Sequence, residues 1–318
     1  MLRLGLAVLC LAGTTALAQP FPSKPVRMVV PLVPGGNQDI VARAVAEEMS
    51  KQLGQPVLVE NRPGQSAIVG TQFVKAAPAD GYTLLSVAVT FARVPGVVKA
   101  AGYDPRTDFT GVSLVCRIPQ VLVVNPNHPA RSVQALIAQA KAKPGELTFG
   151  GSGNGSTGHV AAELFMRAAG VKLTQVSYKG NAQALVDLMG GQIVMMFDQV
   201  STSAGPVRGG KLRALAVTSK SRSAVLPDVP SLHELGFADF DDVTWNGIVV
   251  PAATPREVVN RLHAAVAKAL ANPELKRKYE ERGIDLLASA SPAQFTDYVR
   301  SEADAFVRLV KEAGIQVE

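Results

Sequence analysis

Two glycine-bearing turns decide the fold of this sequence: Pro34-Gly35-Gly36-Asn37-Gln38-Asp39 and Gly151-Ser152-Gly153-Asn154-Gly155-Ser156-Thr157-Gly158-His159. Each turn follows a strand-like run and precedes a helix-like one. The first N–H groups of a helix lack intrahelical partners and carry the positive end of its dipole, so they can hold a carboxylate or a phosphate. Glycine lets the anion approach because no Cβ shields the donors. We therefore interpret the turns as two halves of one anion site.

Strand-like runs alternate with helical patterns along most of the chain, which is typical of a mainly parallel sheet covered by helices. We expect Asn37 and Ser156 to cap the helices that follow the two turns, and Thr254, Asn272 and Ser291 to start three helices near the C-terminus. Strands are predicted at 26–31, 57–61, 83–87, 121–124, 147–149, 173–178, 193–197, 212–217 and 248–250.

The C-terminal helices are expected to pack back on the N-terminal part of the chain. The chain would then cross twice between two α/β domains, near 119–124 and 240–248, and form a hinge above a cleft. The sequence thus predicts domain I at 19–121 and 247–318, and domain II at 122–246.

The first residues have the features of a cleavable secretory signal peptide, predicted at 1–18. Arg3 precedes a short apolar run, and Ala16-Leu17-Ala18 fits an A-x-A cleavage site. Cleavage after Ala18 would release an exported mature chain. Only Cys116 would then remain, so no intramolecular disulfide could form, and Cys116 is expected to be a buried apolar residue.

Charge and histidine spacing exclude several function classes. The formal net charge is +6, but the basic residues are scattered and few aromatic residues lie among them, which argues against nucleic-acid binding. The four histidines have no metal-ligand spacing, so no metal and no cofactor are expected. A mild basic excess favours small anions as ligands.

Enzymatic alternatives lack parts of their motifs. Gly153 to Gly158 matches the G-x-G-x-x-G of a dinucleotide site, but the next strand ends at Tyr178-Lys179 without the acidic residue that binds a ribose. No G-x-S-x-G elbow occurs, so Ser152 and Ser156 are better explained as ligand donors or helix caps than as nucleophiles. His159 is expected to be neutral beside a helix N-terminus.

Two acids and a lysine at strand and helix ends allow two interpretations each. Asp39 can be a partner of the helix dipole or a ligand-site residue, and the first of these is favoured. Asp198 can orient a ligand donor or serve the fold. Lys179 can pair with an anionic ligand or lie exposed in its loop.

A series of short motifs, in order along the chain, resembles the Bug or TctC-like extracytoplasmic solute receptors of tripartite tricarboxylate transporters. Among them are Pro34-Gly35-Gly36, Glu60-Asn61-Arg62-Pro63-Gly64, Pro78 to Leu85, Tyr178-Lys179-Gly180, Gly210 to Thr218 and Leu226-Pro227-Asp228-Val229-Pro230. The resemblance implies a type II periplasmic binding protein, not an enzyme, that is monomeric. It would close on a small carboxylate or related amide and present that ligand to a membrane permease or, alternatively, to a signalling partner.

The resemblance also implies which residues bind the ligand. Domain I would contribute its glycine turn, domain II the other turn, and neighbouring loops the remainder: Gly36, Asn37, Gln38, Asp39, Thr90, Phe91, Ser152, Asn154, Gly155, Ser156, Thr157, Lys179, Gly180 and Asp198. Gln38, Phe91 and Arg93 depart from the family pattern and are expected to select which acid binds. Arg93 would either pair with a second acidic group of the ligand or point to solvent.

Overall fold

The computed structural model describes residues 21–314, except 152, 154, 179 and 239. The expected signal peptide therefore lies outside the described residues. The strands are β1 Val26–Val30, β2 Val57–Asn61, β3 Thr83–Ala88, β4 Phe109–Val124, β5 Thr148–Gly151, β6 Thr174–Ser177, β7 Met195–Gln199, β8 Arg213–Val217, β9 Val243–Pro251 and β10 Asp285–Leu286. The helices are α1 Asn37–Leu53, α2 Ile68–Lys75, α3 Val89–Val97, α4 Val133–Ala142, α5 Thr157–Ala169, α6 Asn181–Met189, α7 Val200–Arg208, α8 Arg256–Leu270, α9 Pro273–Glu280 and α10 Pro292–Ala313.

One long strand, β4, belongs to both halves of the molecule. Its first part, up to Pro119, pairs antiparallel with β9, and its second part, from Gln120, pairs antiparallel with β7 and β8. The sheet runs in the order β2-β1-β3-β9-β4-β7-β5-β6. We call the half around β1, β3 and β9 domain I, and the half around β5, β6 and β7 domain II.

The strand directions make the two halves face each other. β1, β2 and β3 are parallel, and β3 is antiparallel to β9, which is antiparallel to β4. The domain I strands therefore run in the same direction as β4 and end toward domain II. β5, β6 and β7 run against β4 and end toward domain I. The carboxyl ends of both sets of parallel strands consequently border one crevice.

The strand register gives the width of this crevice at its floor. Ala88, at the end of β3, lies level with Cys116 of β4, because both pair with Asn246. Gln199, at the end of β7, pairs with Gln120 of β4. Four residues of β4 therefore separate the two ends, which corresponds to about 13 Å of extended chain.

Each half-sheet has apolar clusters that pack its helices. In domain I, α1 and α8 share a cluster with residues of β1, β4 and β9, and α3 and α10 take part in a second. Domain II has a cluster that includes Phe149, Phe165 and Phe197 and another around Leu188 and Met196. A small cluster of Val160 with Phe306 and Leu309 connects α5 to α10. The C-terminal helix thus lies on domain I, as expected from the sequence, and it also contacts domain II, which was not predicted.

Several sequence predictions are confirmed and several are wrong. The α/β architecture, the cap positions at Ser156, Asn272 and Ser291, and the burial of Cys116 are confirmed. The sheet is mixed and not mainly parallel at its centre, because the chain returns to domain I through the antiparallel strand β9. Thr254 donates its hydroxyl to the Pro251 carbonyl and caps no helix. Asn37 is also not a cap, because Gly36 holds that position.

The domain boundaries stay a prediction, and two observations bear on them. The pairing of β4 changes partner at 119–120, and β9 pairs with the domain I part of β4 from Val243 onward. Both positions lie within a few residues of the predicted boundaries. In the part of the chain that the structure describes, no helix combines the length and the apolar character needed to cross a bilayer.

Gly158, the third glycine of the G-x-G-x-x-G match, is required by helix packing. A Cβ at this position would lie 2.7 Å from the Phe197 carbonyl oxygen of β7. We predict that Gly158→Ala lowers the free energy of unfolding by about 1–3 kcal/mol, because backbone cannot move away as a flexible side chain would. Chemical denaturation measures this effect. Gly180→Ala is the control, since no atom lies within 4 Å of its added Cβ; equal stability of the two variants would contradict the packing argument.

Candidate functional site

The crevice between the half-sheets is bordered by helix N-termini from both domains. α1 and α3 begin after the carboxyl ends of β1 and β3, and α5, α6 and α7 begin after those of β5, β6 and β7. Because both sets of strands end at the crevice, the first turns of these five helices do so too. Their first N–H groups have no intrahelical acceptor, so the crevice favours an anion.

Asp39 holds the first glycine turn in shape. Its carboxylate accepts hydrogen bonds from Gly35 N at 3.0 Å, Arg43 Nε at 3.0 Å and Asn61 Nδ2 at 2.9 Å. Burial alone would raise the pKa of Asp39, but these bonds and the Arg43 charge bring the pKa below its ordinary value. The side chain is 3% exposed. Asp39 is therefore a positioning residue of the turn, which is the interpretation that the sequence favoured.

Gln38 is also directed into domain I. Its amide Nε2 donates to the Ser86 carbonyl at 2.8 Å and lies 3.2 Å from the Ser86 hydroxyl. These contacts fasten the first turn of α1 to β3. Gln38 is 6% exposed, and its amide holds the start of α1 in place. Any influence of Gln38 on which acid binds is therefore indirect and acts through the position of that helix start.

Asn37 reaches across the crevice. Its Nδ2 donates to Gln199 Oε1 at 2.6 Å and lies 3.4 Å from Ser201 Oγ. Gln199 in turn contacts Thr244 Oγ1 at 3.5 Å. The bond joins the first helix of domain I to the end of β7 in domain II. Gln199 was not predicted as a site residue, and no sequence signal connects two residues 162 positions apart.

The second glycine turn is organised by α5. Ser156 Oγ accepts the His159 N–H at 3.4 Å, and His159 Nδ1 accepts the Gly155 N–H at 3.1 Å. Burial lowers the pKa of His159, so the neutral form that can accept this bond is favoured. Gly153 and Gly155 have φ values of 101° and 74°, which only glycine adopts easily. Thr157 is half-buried at the helix start, whereas Ser152 and Asn154 lie outside the described residues.

Asp198 connects the other two helix starts of domain II. Its carboxylate accepts from Thr202 Oγ1 at 2.5 Å, Ser203 Oγ at 2.6 Å and Asn181 Nδ2 at 3.3 Å. It is 2% exposed, so it positions α6 and α7. Gly180 is half-buried at the start of α6, and the predicted site residue Lys179 lies outside the described part of the chain.

Two expectations for α3 need correction. Phe91 is 3% exposed and stacks on Tyr103 at 5.5 Å between ring centres, so its ring belongs to the core of domain I and not to the crevice. Arg93 neither points to solvent nor is free to bind a ligand acid. It is buried, and its Nη2 lies 3.0 Å from Asp242 Oδ1. Thr90, in the first turn of α3, is half-buried at the crevice edge.

A buried polar chain connects this ion pair to the second glycine turn. Gln120, on β4 where it changes domain, donates to Asp242 Oδ2 at 2.7 Å and also lies 3.4 Å from the Thr157 carbonyl. Asp242 lies on the second crossing segment, immediately before β9. The contacts of Arg93, Gln120 and Asp242 therefore connect both crossing segments to the second glycine turn. None of these contacts was predicted from the sequence.

The arrangement is suited to recognition. Main-chain N–H groups and small hydroxyl groups face the crevice, and the acids beside it are occupied by hydrogen bonds. His159 Nδ1 is engaged by Gly155, which leaves that atom unable to act as a base for Ser156. Such a crevice can hold an anionic group from two sides.

Comparison with known proteins places the chain in a family. Residues 41–315 match the family model described as "Tripartite tricarboxylate transporter family receptor". A solved periplasmic binding protein named BugD is 33% identical and covers 94% of this chain and all of its own, with a TM-score of 0.77. Two R. palustris structures, one with adipate and the other named MatC with bound malate, are 35% and 30% identical with TM-scores of 0.79 and 0.75. They cover 94% and 91% of this chain and all of their own.

The Asn37–Gln199 bond is predicted to favour the closed arrangement of the domains. Asn37→Ala should open the ligand-free protein, because a hydrogen bond of this kind contributes about 0.5–1.5 kcal/mol. Small-angle X-ray scattering should show a larger radius of gyration for Asn37→Ala and for Gln199→Ala, and no further increase in the double variant. Independent, additive increases would contradict a direct bond between the two side chains.

The neutral state of His159 predicts a pH-dependent stability. Because its folded pKa is lowered, the unfolded chain binds more protons once the pH falls below about 6.5, and stability then decreases toward acid pH. Glu163 Oε1, 3.6 Å from Nε2, is the acid that faces the ring, with Arg167 beside it, and burial raises the pKa of Glu163.

His159→Gln removes this titrating group and keeps an acceptor for the Gly155 N–H. Urea unfolding at pH 7 and pH 5 should show a smaller loss of stability for His159→Gln than for the wild type. The two proteins differ only at position 159, so the difference between them isolates His159. An identical pH dependence of the two proteins would refute the assignment.

Proposed function

Because this chain belongs to the tripartite tricarboxylate transporter receptor family, we propose that it is a periplasmic receptor that binds a small carboxylate in the crevice. Domain closure would then create the surface that the membrane subunits of such a transporter recognise. The observation that carries the proposal is the convergence of five helix N-termini, from two domains, on one crevice.

The solved relatives support a carboxylate as the ligand. One was solved with adipate and another with malate, and both of these are dicarboxylates. A dicarboxylate offers one charged group to each domain, which matches the placement of helix starts on both sides. The mild excess of basic residues in this chain adds long-range attraction for such anions.

The described residues divide into two roles under this proposal. Main-chain or side-chain donors at Gly36, Asn37, Thr90, Ser156, Thr157 and Gly180 contact the ligand, together with Ser152, Asn154 and Lys179, which are assigned from the sequence alone. Gly155 shapes the second turn, because its N–H is donated to His159 Nδ1. Asp39, Gln38 and Asp198 position these groups through the hydrogen bonds described above. Phe91 packs the domain I core beneath them.

Ligand binding favours closure because only the closed arrangement lets both sets of donors reach the same molecule. The Asn37–Gln199 bond connects the two sides of the crevice directly. A ligand held by both domains would add further contacts that the open state lacks. Gln120, on the first crossing segment, contacts both Asp242 on the second crossing segment and the Thr157 carbonyl in the second glycine turn. A movement of that turn is therefore passed to both crossing segments and so to the rest of domain II.

A charge placed at the start of α1 tests the anion site. Gly36 has open space around it and takes up the N-cap position, where aspartate and asparagine are both favourable. We predict that Gly36→Asp weakens binding of the acid selected from a dicarboxylate panel at least tenfold, because its carboxylate repels the ligand. Gly36→Asn, of the same shape but uncharged, should stay within about threefold of the wild type. Isothermal titration calorimetry measures both.

Equal affinity of Gly36→Asp and Gly36→Asn for the selected acid would contradict the proposed two-sided anion site. Both variants should keep the wild-type melting temperature, which separates a binding defect from a folding defect. Delivery is tested with the same pair: cells that carry only Gly36→Asp should lose uptake of that acid at low external concentration, whereas cells with Gly36→Asn retain it. Normal uptake in cells that carry only Gly36→Asp would argue against the transport role.

A further inference from the structure

A second cavity lies beside the hinge, away from the crevice floor. Its volume is about 720 Å³, within the roughly 300–1,000 Å³ that small-molecule sites occupy. α3 and α10 of domain I form one wall, and α5 together with residues 236–238 and 240–242 of domain II forms the other. Phe306 lines this cavity, and its ring also lies close to the second glycine turn, 3.7 Å from the Cβ that a side chain at Gly155 would add. The described lining residues of the cavity belong to neither glycine turn, so the cavity is distinct from the crevice and lies between the two domains.

One side of the cavity is apolar. Val160 and Leu164 of α5 face Phe306 and Leu309 of α10, with Phe237 and Phe240 beside them. Exposed alanines, Ala168 on α5 and Ala305 on α10, border the same space. A compact hydrocarbon or aromatic body would bury this surface.

The other side is charged and has an excess of acid. Arg93 Nη2 is shared between Asp242 Oδ1 at 3.0 Å and Glu302 Oε2 at 3.8 Å, so one guanidinium serves two carboxylates. The remaining charged groups at the cavity are already paired, Asp241 with Arg117 at 2.9 Å and Arg167 with Glu312. One carboxylate charge is therefore left without a matching cation in this cluster.

Carboxylate oxygens remain available there. Glu302 uses Oε2 both for Arg93 and for the Trp245 Nε1 donor at 3.2 Å, which leaves its Oε1 without a donor among the described residues. Asp241 Oδ1 is buried and has no hydrogen-bond partner in the described structure. Arg93 Nη1 is likewise buried and unpaired, so it is available to a neutral oxygen of a ligand.

Burial raises the pKa of both Glu302 and Asp242 above their ordinary values, which shows that the local cations compensate these acids incompletely. An added cation would stabilise the charged forms. An added carboxylate would instead face Asp241, Asp242 and Glu302 together. The electrostatics of the cavity thus discriminate against the class of ligand that suits the crevice.

We propose that this cavity is a second binding site, and that it takes a small organic cation, a primary amine carried on a compact apolar body. The ammonium group donates to Glu302 and its body packs between α5 and α10. The packing contact bridges the two domains, because α5 belongs to domain II and α10 to domain I, so the amine favours the present arrangement, in which Asn37 contacts Gln199. Asp242 and Gln120 also connect the charged end to the Thr157 carbonyl in the second glycine turn.

Binding of the amine is tested on the full mature protein with phenethylamine as the probe and 2-phenylethanol as its uncharged analogue. We expect phenethylamine at millimolar concentration to raise the melting temperature by about 2 °C or more. Glu302→Gln keeps an acceptor for Trp245 and should abolish the shift. Asp304→Asn, an equivalent change on the outer side of the same helix at an exposed ion pair with Arg106, should leave the shift intact. Ala168→Trp, which fills the cavity edge without changing charge, should also abolish it.

Three results would overturn the proposal: no shift with phenethylamine, an equal shift with 2-phenylethanol, or a shift that survives both Glu302→Gln and Ala168→Trp. A shift with 3-phenylpropanoate that Ala168→Trp removes would overturn it as well, since the cavity would then accept anions. None of these measurements uses the crevice ligand, so they stand apart from the proposed receptor function.

Coupling between the two sites rests on the proposed function and has its own test. Saturating phenethylamine should tighten binding of the crevice acid at least threefold in the wild type and leave it unchanged in Glu302→Gln. Unchanged or weaker binding of the crevice acid to the wild type would refute the coupling. Whether the amine site exists is decided separately by the binding test above.

Discussion

The structure depends on one strand, β4, that belongs to both half-sheets. Because β4 runs without interruption from domain I into domain II, strands parallel to it in the first half and antiparallel to it in the second must end at the same crevice. Every helix start that borders the crevice follows from that constraint. The anion preference of the crevice is therefore a property of the topology, and side chains such as Asp39 and Asp198 only hold the helix starts in place.

Local features of this fold could be predicted from the sequence, because short-range chemistry determines them. Ser156 caps α5 as expected from a serine before a helical pattern, and Gly35, Gly153 and Gly155 have positive φ values that glycine adopts easily. The domain I part of β4 was not recognised as a strand, since Gly111, Arg117 and Pro119 interrupt its apolar pattern. Family resemblance supplied the two-domain architecture that periodicity alone could not.

Long-range contacts could not be predicted. The Asn37–Gln199 bond and the Arg93–Asp242 pair connect residues 162 and 149 positions apart, and a polar residue on a helix gives no sign of which distant strand it will meet. Phe91 was misassigned for the same reason, since its stacking on Tyr103 is visible only in three dimensions. The sequence therefore located the two glycine turns, whereas the structure showed which of the side chains beside them are occupied by hydrogen bonds within the protein.

The central claim, closure of two domains on a carboxylate, is tested most directly by a distance between them. Val69 on α2 and Val186 on α6 are exposed and can be replaced by cysteines that carry spin labels, and the natural Cys116 is buried and will not react. Pulsed electron resonance should find a broad distance distribution in the free receptor and a single, shorter distance when the acid selected from the panel is saturating. Tight binding of that acid with an unchanged distribution would contradict the account.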